Sequence, residues 1–313
     1  MEKSKMQELL DNTSYLPHIF CPSWRRPNFV SAGIFNGFDE EARKKVHIVV
    51  RPDQYNDYKK ANPKLDILPI DEDYPINGLA STRQWIFEYA VKNKLSMYID
   101  MDDDIKMVRY LFDAFTNKGD PCAHHSNMQD LAEDPLLQQK VLQMTAEISK
   151  EIFKTYPDVC LGNIRRQRFC QHPENAYLKY IINAGPTPRQ VTVMNTKALY
   201  RAGINRDVKR FDRHGDDIGF CAVLLKEGKS LFNIPCLCYD YVDEKCDSVI
   251  RTPETEKELH AYEYAMLQEY PIRDYLKTTF RDDEGNYMWG DIDYRKLHKI
   301  RGTKPIKVHW GEE

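Results

Sequence analysis

Leu95-Ser96-Met97-Tyr98-Ile99-Asp100-Met101-Asp102-Asp103-Asp104-Ile105 is an apolar run that stops in a knot of carboxylates. The apolar part reads as a buried strand. Carboxylates this close repel one another and resist burial, because each charge must be desolvated. A divalent cation relieves both problems. Hard cations take oxygen ligands, and Mg²⁺ needs only one or two protein carboxylates when substrate phosphates supply the rest. A strand ending in Asp-x-Asp is thus placed to hold Mg²⁺ or Mn²⁺ against a diphosphate. This points to transfer chemistry on a nucleotide-activated substrate. The plainer alternative is that Asp102, Asp103 and Asp104 cap a helix over 105–115, although capping uses one carboxylate and not three.

Upstream of this run, His18-Ile19-Phe20-Cys21 reads as a strand stopped by Pro22-Ser23-Trp24-Arg25-Arg26-Pro27. Val46 to Val50 is a second strand, stopped by Arg51-Pro52, and a helix follows from Asp53, its expected cap, to Ala61. Leu65 to Ile70 is a third strand. Gly78 to Asn93 is an amphipathic helix, with Trp85, Ile86, Tyr89 and Ala90 at three- and four-residue spacing. Alternating strands and helices predict an α/β fold with a mixed, mostly parallel sheet flanked by helices. In such sheets ligands bind at the carboxyl ends of the strands. Ser23, Arg25, Arg26, Arg51 and the aspartates all fall there, and guanidinium forks suit phosphates.

Downstream, 113–135 is polar and reads as a mobile loop containing His124-His125, and 136–155 is a helix with Leu137, Val141, Met144, Ile148 and Ile152 as its core stripe. Strands are expected at Val159–Ile164, Gln190–Asn195 and Lys229–Tyr239, and short helices at Lys197–Ala202 and Asp217–Glu227. The connecting loops carry Arg165-Arg166-Gln167-Arg168 and His214-Gly215-Asp216-Asp217. Residues 254–278 read as largely helical, and 286–313 as an aromatic, basic tail.

The 313 residues suit two domains or one elaborated domain at about 150 residues each. With 42% apolar and 30% charged residues, the chain can bury a core under a soluble surface. No apolar run approaches the ~20 residues of a membrane helix. Met1 to Gln7 lacks an apolar signal region, so a cytoplasmic location is expected. The eight cysteines fit no zinc spacing and read as buried thiols. A net charge of −3 excludes nucleic-acid binding through bulk charge, so any such contact must be local. Basic clusters lie at Arg165–Arg168, Arg206–Arg213 and Arg295–Lys307.

Taken in order, these motifs resemble a known group. Ser-x-x-Arg-Pro after the first strand, Val-Val-Arg-Pro-Asp-Gln-Tyr, Gly-x-x-x-x-Thr-Arg-Gln-Trp-Ile and Asp-Met-Asp-Asp-Asp-Ile are similar to the nucleotide-sugar half of GT-A-fold glycosyltransferases. His-Gly-Asp-Asp-Ile-Gly-Phe resembles their acceptor-side acidic motif. The likeness is closest to the TET/JBP-associated glycosyltransferases, phage-type enzymes implicated in adding sugars to hydroxymethylated pyrimidines in DNA. It covers roughly residues 17–230.

The resemblance implies a division into an arm (1–15), a nucleotide-sugar-binding half (16–112), the loop (113–135), an acceptor-side half (136–253) and a C-terminal extension (254–313). It implies that Ser23, Arg26, Arg51, Arg83 and Asp102 bind a UDP-sugar. Asp104, with Asp102, would bind Mn²⁺ or Mg²⁺, and Asp100 offers an alternative register. His309 would complete the metal site. Asp216 and Asp217 stand where many members have Glu-Asp and would supply the catalytic base, which implies inversion at the anomeric carbon; retention stays open.

The acceptor implied is 5-hydroxymethylcytosine, or another 5-hydroxymethylpyrimidine, in double-stranded DNA. Arg165, Arg166, Arg168, Arg210 and Arg213 are candidate phosphate contacts, and Phe169, Phe211 and Trp289 candidate stacking partners. A phage-encoded enzyme of this kind would work in the host cytoplasm. A polysaccharide or protein acceptor, or a non-catalytic nucleotide-sugar or DNA-binding module, are the alternatives.

Overall fold

A computed structural model describes residues 3–76, 78–111, 135–166, 173–203, 216–242, 258, 265, 273–281 and 287–311. The strands are β1 (His18–Pro22), β2 (Val46–Val50), β3 (Asp66–Pro69), β4 (Met97–Met101), β5 (Ile105–Tyr110), β6 (Val159–Arg166), β7 (Leu178–Ile182), β8 (Val191–Asn195), β9 (Ser230–Tyr241), β10 (Leu276–Arg281), β11 (Tyr287–Ile292) and β12 (Ile306–His309). The helices are α1 (Lys3–Asp11), α2 (Ala32–Asn36), α3 (Glu40–Arg43), α4 (Tyr55–Ala61), α5 (Leu79–Lys92), α6 (Pro135–Thr155), α7 (Thr196–Ala202), α8 (Asp216–Lys226) and α9 (Tyr294–Arg301).

One sheet runs in the order β12-β7-β9-β6-β8-β4-β1-β2-β3, with β5 paired to β9. The pairings make β5, β7 and β8 run against the other strands, so the sheet is mixed and mostly parallel in direction. β10 and β11 form a separate hairpin.

Strand alternation sorts the apolar residues onto two faces. On β4, Met97, Ile99 and Met101 join the core under α1, α2, α3, α4 and α6, while Tyr98 joins the core under α5, α7, α8 and α9. Asp100 follows Tyr98 by two residues and therefore faces α5. The predicted stripe of the long helix holds: Leu137, Val141, Met144, Ile148 and Ile152 are all buried. So are Cys21, Cys160, Cys221, Cys236 and Cys238, each as a free thiol.

Three local expectations need correction. Residues 105–110 form strand β5, because alternating Ile105, Met107 and their neighbours are buried against β9; the aspartates before them cap no helix there. Asp53 lies inside a 3₁₀ turn, Pro52–Gln54, and Gln54 occupies the N-cap of α4. Residues 273–275 form a 3₁₀ turn leading into β10, where a helix was expected. The expected loop at 113–134, with its histidines, lies outside the described residues. Among the described residues no helix is long and apolar enough to cross a membrane.

At the amino ends of the parallel strands, His18 Nδ1 lies 2.7 Å from His47 Nε2, and His47 Nδ1 lies 2.6 Å from Asp66 Oδ2. Burial, then the neighbouring His47 and Lys45, lowers the His18 pKa, and the bond from His47 lowers that of Asp66. Both folded forms bind protons less readily than the unfolded chain, so both contribute stability at neutral pH that is lost as pH falls. The His18 share begins to go below the ordinary histidine value of about 6.5, the Asp66 share below about 3.9. We predict that denaturation midpoints drop between pH 7.5 and pH 5.5, and that His18→Phe flattens this slope. An unchanged slope in the variant would refute the assignment.

Candidate active site

The carboxyl ends of β1, β2 and β4 come to one edge of the sheet because these strands are parallel. Backbone bonds fix the aspartate loop there. Asp102 N–H donates to Gln190 O at 2.8 Å, Val242 N–H to Asp104 O at 3.0 Å, and Ser31 N–H to Asp103 O at 3.1 Å. Ser31 Oγ donates to Asp102 O at 2.8 Å and accepts from Ile105 N–H at 3.0 Å. One buried serine thus pins both ends of the loop.

Asp103 is held from the first strand. Ser23 Oγ donates to Asp103 Oδ2 at 2.5 Å and Arg26 Nη1 to Asp103 Oδ1 at 3.0 Å. Since the Ser23 proton is engaged, Tyr58 must donate to Ser23 Oγ, 2.7 Å away, while accepting from Arg26 N–H at 2.8 Å. The bonds run in one direction, from Arg26 N–H through Tyr58 and Ser23 to the carboxylate, a sense in which each polarises the next. Next to them the exposed Trp24 ring lies 4.7 Å from the Arg25 guanidinium and 5.1 Å from that of Arg51. Arg25 takes φ 58°, a region costly for a non-glycine residue, and its N–H donates to Gln54 Oε1 at 2.9 Å.

Arg83, on α5, is the hub. It is 3% exposed. Its Nε lies 3.2 Å from Asp100 Oδ2, its Nη2 2.5 Å from Asp102 Oδ1, and its Nη1 3.0 Å from Asp217 Oδ1. The planar fork of arginine suits three simultaneous contacts as a lysine ammonium would not. The acidic motif after β4 and the acidic motif opening α8 therefore share one cation, although Arg83 and Asp217 are 134 residues apart.

Among the described residues the carboxylates gathered here outnumber Arg83 and Arg26, the cations that bond them. Burial, with repulsion from Asp104, Asp217 and Asp100, pushes the Asp102 carboxyl well above the usual carboxylate range despite Arg83. Burial also raises Asp103, against the pull of Arg26 and Ser23. Tyr239, buried beside these groups, is raised by desolvation and by Asp102 and Asp217, with Arg189 opposing. A divalent cation would relieve this repulsion, and carboxylate oxygens are its preferred ligands, so the residues present fit Mg²⁺ or Mn²⁺. Among the described residues no three His, Cys, Asp or Glu side chains gather as a metal cage. Asp102 and Asp104 would be the protein's share, with phosphate oxygens completing the shell.

The predicted residues divide. Ser23, Arg26, Arg51, Arg83, Asp102, Asp104 and Asp217 come together at this edge. Arg83 is turned to the carboxylates, and Ser23 and Arg26 to Asp103, so these side chains shape the site from beneath. Asp216 opens α8, and its side chain lies outside the described residues. His309 does not join the carboxylates. It sits on β12, separated from β4 by five strand spacings through β7, β9, β6 and β8, about 24 Å along the sheet at ~4.8 Å each.

Arg165 is corrected as well. It lies in β6 rather than a loop, is 7% exposed, and donates to Asn175 Oδ1 at 2.8 Å, which removes it from any phosphate surface. Arg166, at the end of β6, stacks 3.8 Å over the Tyr241 ring. Arg168, Arg210, Arg213, Phe169 and Phe211 lie outside the described residues, as does the side chain of Trp289. Sequence reading missed Ser31, Tyr58, Asp103, Gln190 and Tyr239. Only Asp103 carried a local signal, as the middle of three aspartates.

A mixed sheet with helices on both faces thus carries paired carboxylates at the end of its central parallel strand. The chain belongs to the TET-associated glycosyltransferase family, whose model matches residues 17–237. No curated protein matches the sequence. Among solved structures, the chain is similar to glucosyl-3-phosphoglycerate synthase from Mycobacterium tuberculosis in complex with Mg²⁺ and uridine diphosphate: 7% identity, TM-score 0.44, 95% of each chain covered. It is also similar to GalNAc-T7 with UDP, GalNAc and Mn²⁺, at 10% identity and TM-score 0.42, covering 85% of this chain and 50% of that one. A third likeness is to a CMP:2-keto-3-deoxy-manno-octonic acid synthetase complexed with CTP, at 10% identity and TM-score 0.39, covering 82% and 100%.

Proposed function

We propose that this glycosyltransferase moves a sugar from a UDP-sugar to the hydroxyl of a 5-hydroxymethylpyrimidine, foremost 5-hydroxymethylcytosine, in double-stranded DNA. The observation that carries the reading is the Arg83 bridge from Asp100 and Asp102 to Asp217. It brings carboxylates of the first acidic motif and one of the second onto a single guanidinium, which supports a site where two substrates meet.

Mg²⁺ or Mn²⁺ at Asp102 and Asp104 would supply Lewis acidity toward the leaving diphosphate. Arg26 and Arg51, at the same sheet edge, add guanidinium charge for the phosphates. Asp217 is the base. Its side chain is 27% exposed, open enough for an acceptor hydroxyl to approach, and it takes the hydroxyl proton as the oxygen attacks the anomeric carbon. Arg83 holds that carboxylate in place. Direct attack assisted by one base inverts the anomeric configuration. The DNA acceptor rests on the sequence resemblance. A 5-hydroxymethyl group projects into the major groove, and extrusion of its nucleotide would bring it to Asp217.

The test is transfer itself. Enzyme, Mn²⁺, a mixture of UDP-sugars and hydroxymethylcytosine DNA are incubated, and the digested nucleosides are weighed. A sugar adduct is expected, and its loss in Asp104→Ala is predicted to be at least about 100-fold, since even outer-shell partners of a metal cost 10–100-fold when removed. No adduct with any donor, or adduct on added polysaccharide alone, would overturn the DNA reading.

A further inference from the structure

We infer that α9 and β12 form a docking surface for the phosphodiester backbone of duplex DNA, at the flank of the sheet away from β1–β3. The inference rests on the DNA reading above and adds a location to it.

Residues 293–309 carry Arg295, Lys296, Lys299, Arg301, Lys304 and Lys307 against a single carboxylate, Asp293, in a chain whose net charge is −3. The positive charge is therefore concentrated here while the rest of the chain is acidic. Arg295, Lys296, Lys299, Lys304 and Lys307 are all exposed. Arg295, Lys299 and Lys304 have no carboxylate within ion-pair reach among the described residues. Lys307 has only a loose, solvent-exposed approach to Glu174, at 3.7 Å. Exposed pairs of that kind contribute little.

The array is rigid, which separates it from a frayed basic tail. Asp293 caps α9, accepting from Arg295 and Lys296 N–H at 3.0 and 3.1 Å. Gly302 closes the helix in the left-handed conformation at φ 63°. Leu297 is fully buried beneath it. His298 bonds to Asn183 O at 2.9 Å, and Arg301 Nη2 donates to Leu225 O and, at 3.1 Å, to Lys229 O. The helix is thus clamped to the sheet by its inner face while Arg295 and Lys299, one turn and about 6 Å apart, point outward. Through Lys304 and Lys307 the charge continues onto β12, the edge strand beside β7. The end of α9 and Lys304 lie toward the amino edge of the parallel strands, beside Asn183 and Lys229, and β12 runs from there in the same direction as β4. A polyanion on this strip would lie across the outer flank of the sheet, five strand spacings from β4.

Edge-strand lysines also guard a sheet against aggregation, and that role alone would leave DNA affinity untouched when they are changed. The test measures binding of an unmodified 20-base-pair duplex to the full chain across a salt series, without donor or turnover. Wild-type affinity should fall steeply with salt. Arg295→Glu/Lys299→Glu/Lys304→Glu should weaken binding at least tenfold and reduce the log–log salt slope by about 2.7, at ~0.9 for each phosphate no longer neutralised. A conservative set, Arg295→Gln/Lys299→Gln/Lys304→Gln, should give the same slope change, and Mn²⁺-dependent UDP binding should be unchanged in both. Unaltered affinity and slope in folded variants, or no duplex binding by the wild type at low salt, would overturn the inference. Binding that follows this pattern without any sugar transfer would sink the proposed reaction and leave the surface standing.

Discussion

Arg83→Met is expected to abolish sugar transfer and to destabilise the protein together. Removing one partner from a buried ion pair leaves an uncompensated charge and costs about 3–5 kcal/mol. Here the stranded partner is Asp100, 3% exposed like Arg83 itself. The activity loss should be larger than stability alone explains. Asp102 and Asp217 would lose the group that sets their separation, and the loss of one preorganised electrostatic partner at a reacting centre costs about 100- to 1,000-fold. Urea denaturation reads the first effect, and kcat/KM for transfer under conditions where the variant is folded reads the second. Arg83→Lys separates the contributions. It restores a charge beside Asp100 but cannot span three carboxylates, so it should recover much of the stability and little of the rate. A folded Arg83→Met enzyme with wild-type transfer would show that the bridge has no part in the reaction.

Asp217→Asn should leave the fold and donor binding intact and lower kcat by about 100- to 10,000-fold, the range for a lost general base. The amide is isosteric, and its carbonyl oxygen can still accept from Arg83 Nη1, now 3.0 Å from the carboxylate. Mn²⁺-dependent UDP affinity should therefore match the wild type, in contrast to Asp104→Ala. Asp217→Glu keeps the carboxylate but carries it further from the backbone, and should retain partial rate. Transfer by Asp217→Asn at the wild-type rate would move the base to Asp216.

The parallel half of the fold was legible because its signals are local. Each of β1, β2 and β4 is a short apolar run closed by proline, arginine or aspartate, and the residues just past those ends are the ones that meet. Arg165 misled because charge beside a strand reads as a loop, whereas burial against Asn175 lets the strand continue through it. β5 misled because aspartates before an apolar stretch look like a helix start; its pairing with β9 lies more than a hundred residues ahead in the chain and overrides the local preference. The Arg83–Asp217 contact is non-local in the same way. Each residue could be nominated from its motif, but no spacing rule joins them. His309 was nominated by resemblance alone, and strand order set it apart.

The seam between β4 and β8 has a consequence for how the molecule forms. β1 to β4 pair within a stretch of neighbouring sequence, whereas β4 meets β8 antiparallel, Met97 against Asn195, across a wide gap in the chain. Closing that gap costs chain entropy before any contact repays it, which makes such pairings slow. The aspartates after β4 follow the half that pairs with nearby sequence, whereas Asp217, Gln190 and Val242, which meet them, lie beyond the gap. Arg83 finds its third partner, and the aspartate loop its anchors Gln190 O and Val242 N–H, only once that gap is closed, so the site's geometry depends on the slow long-range pairing.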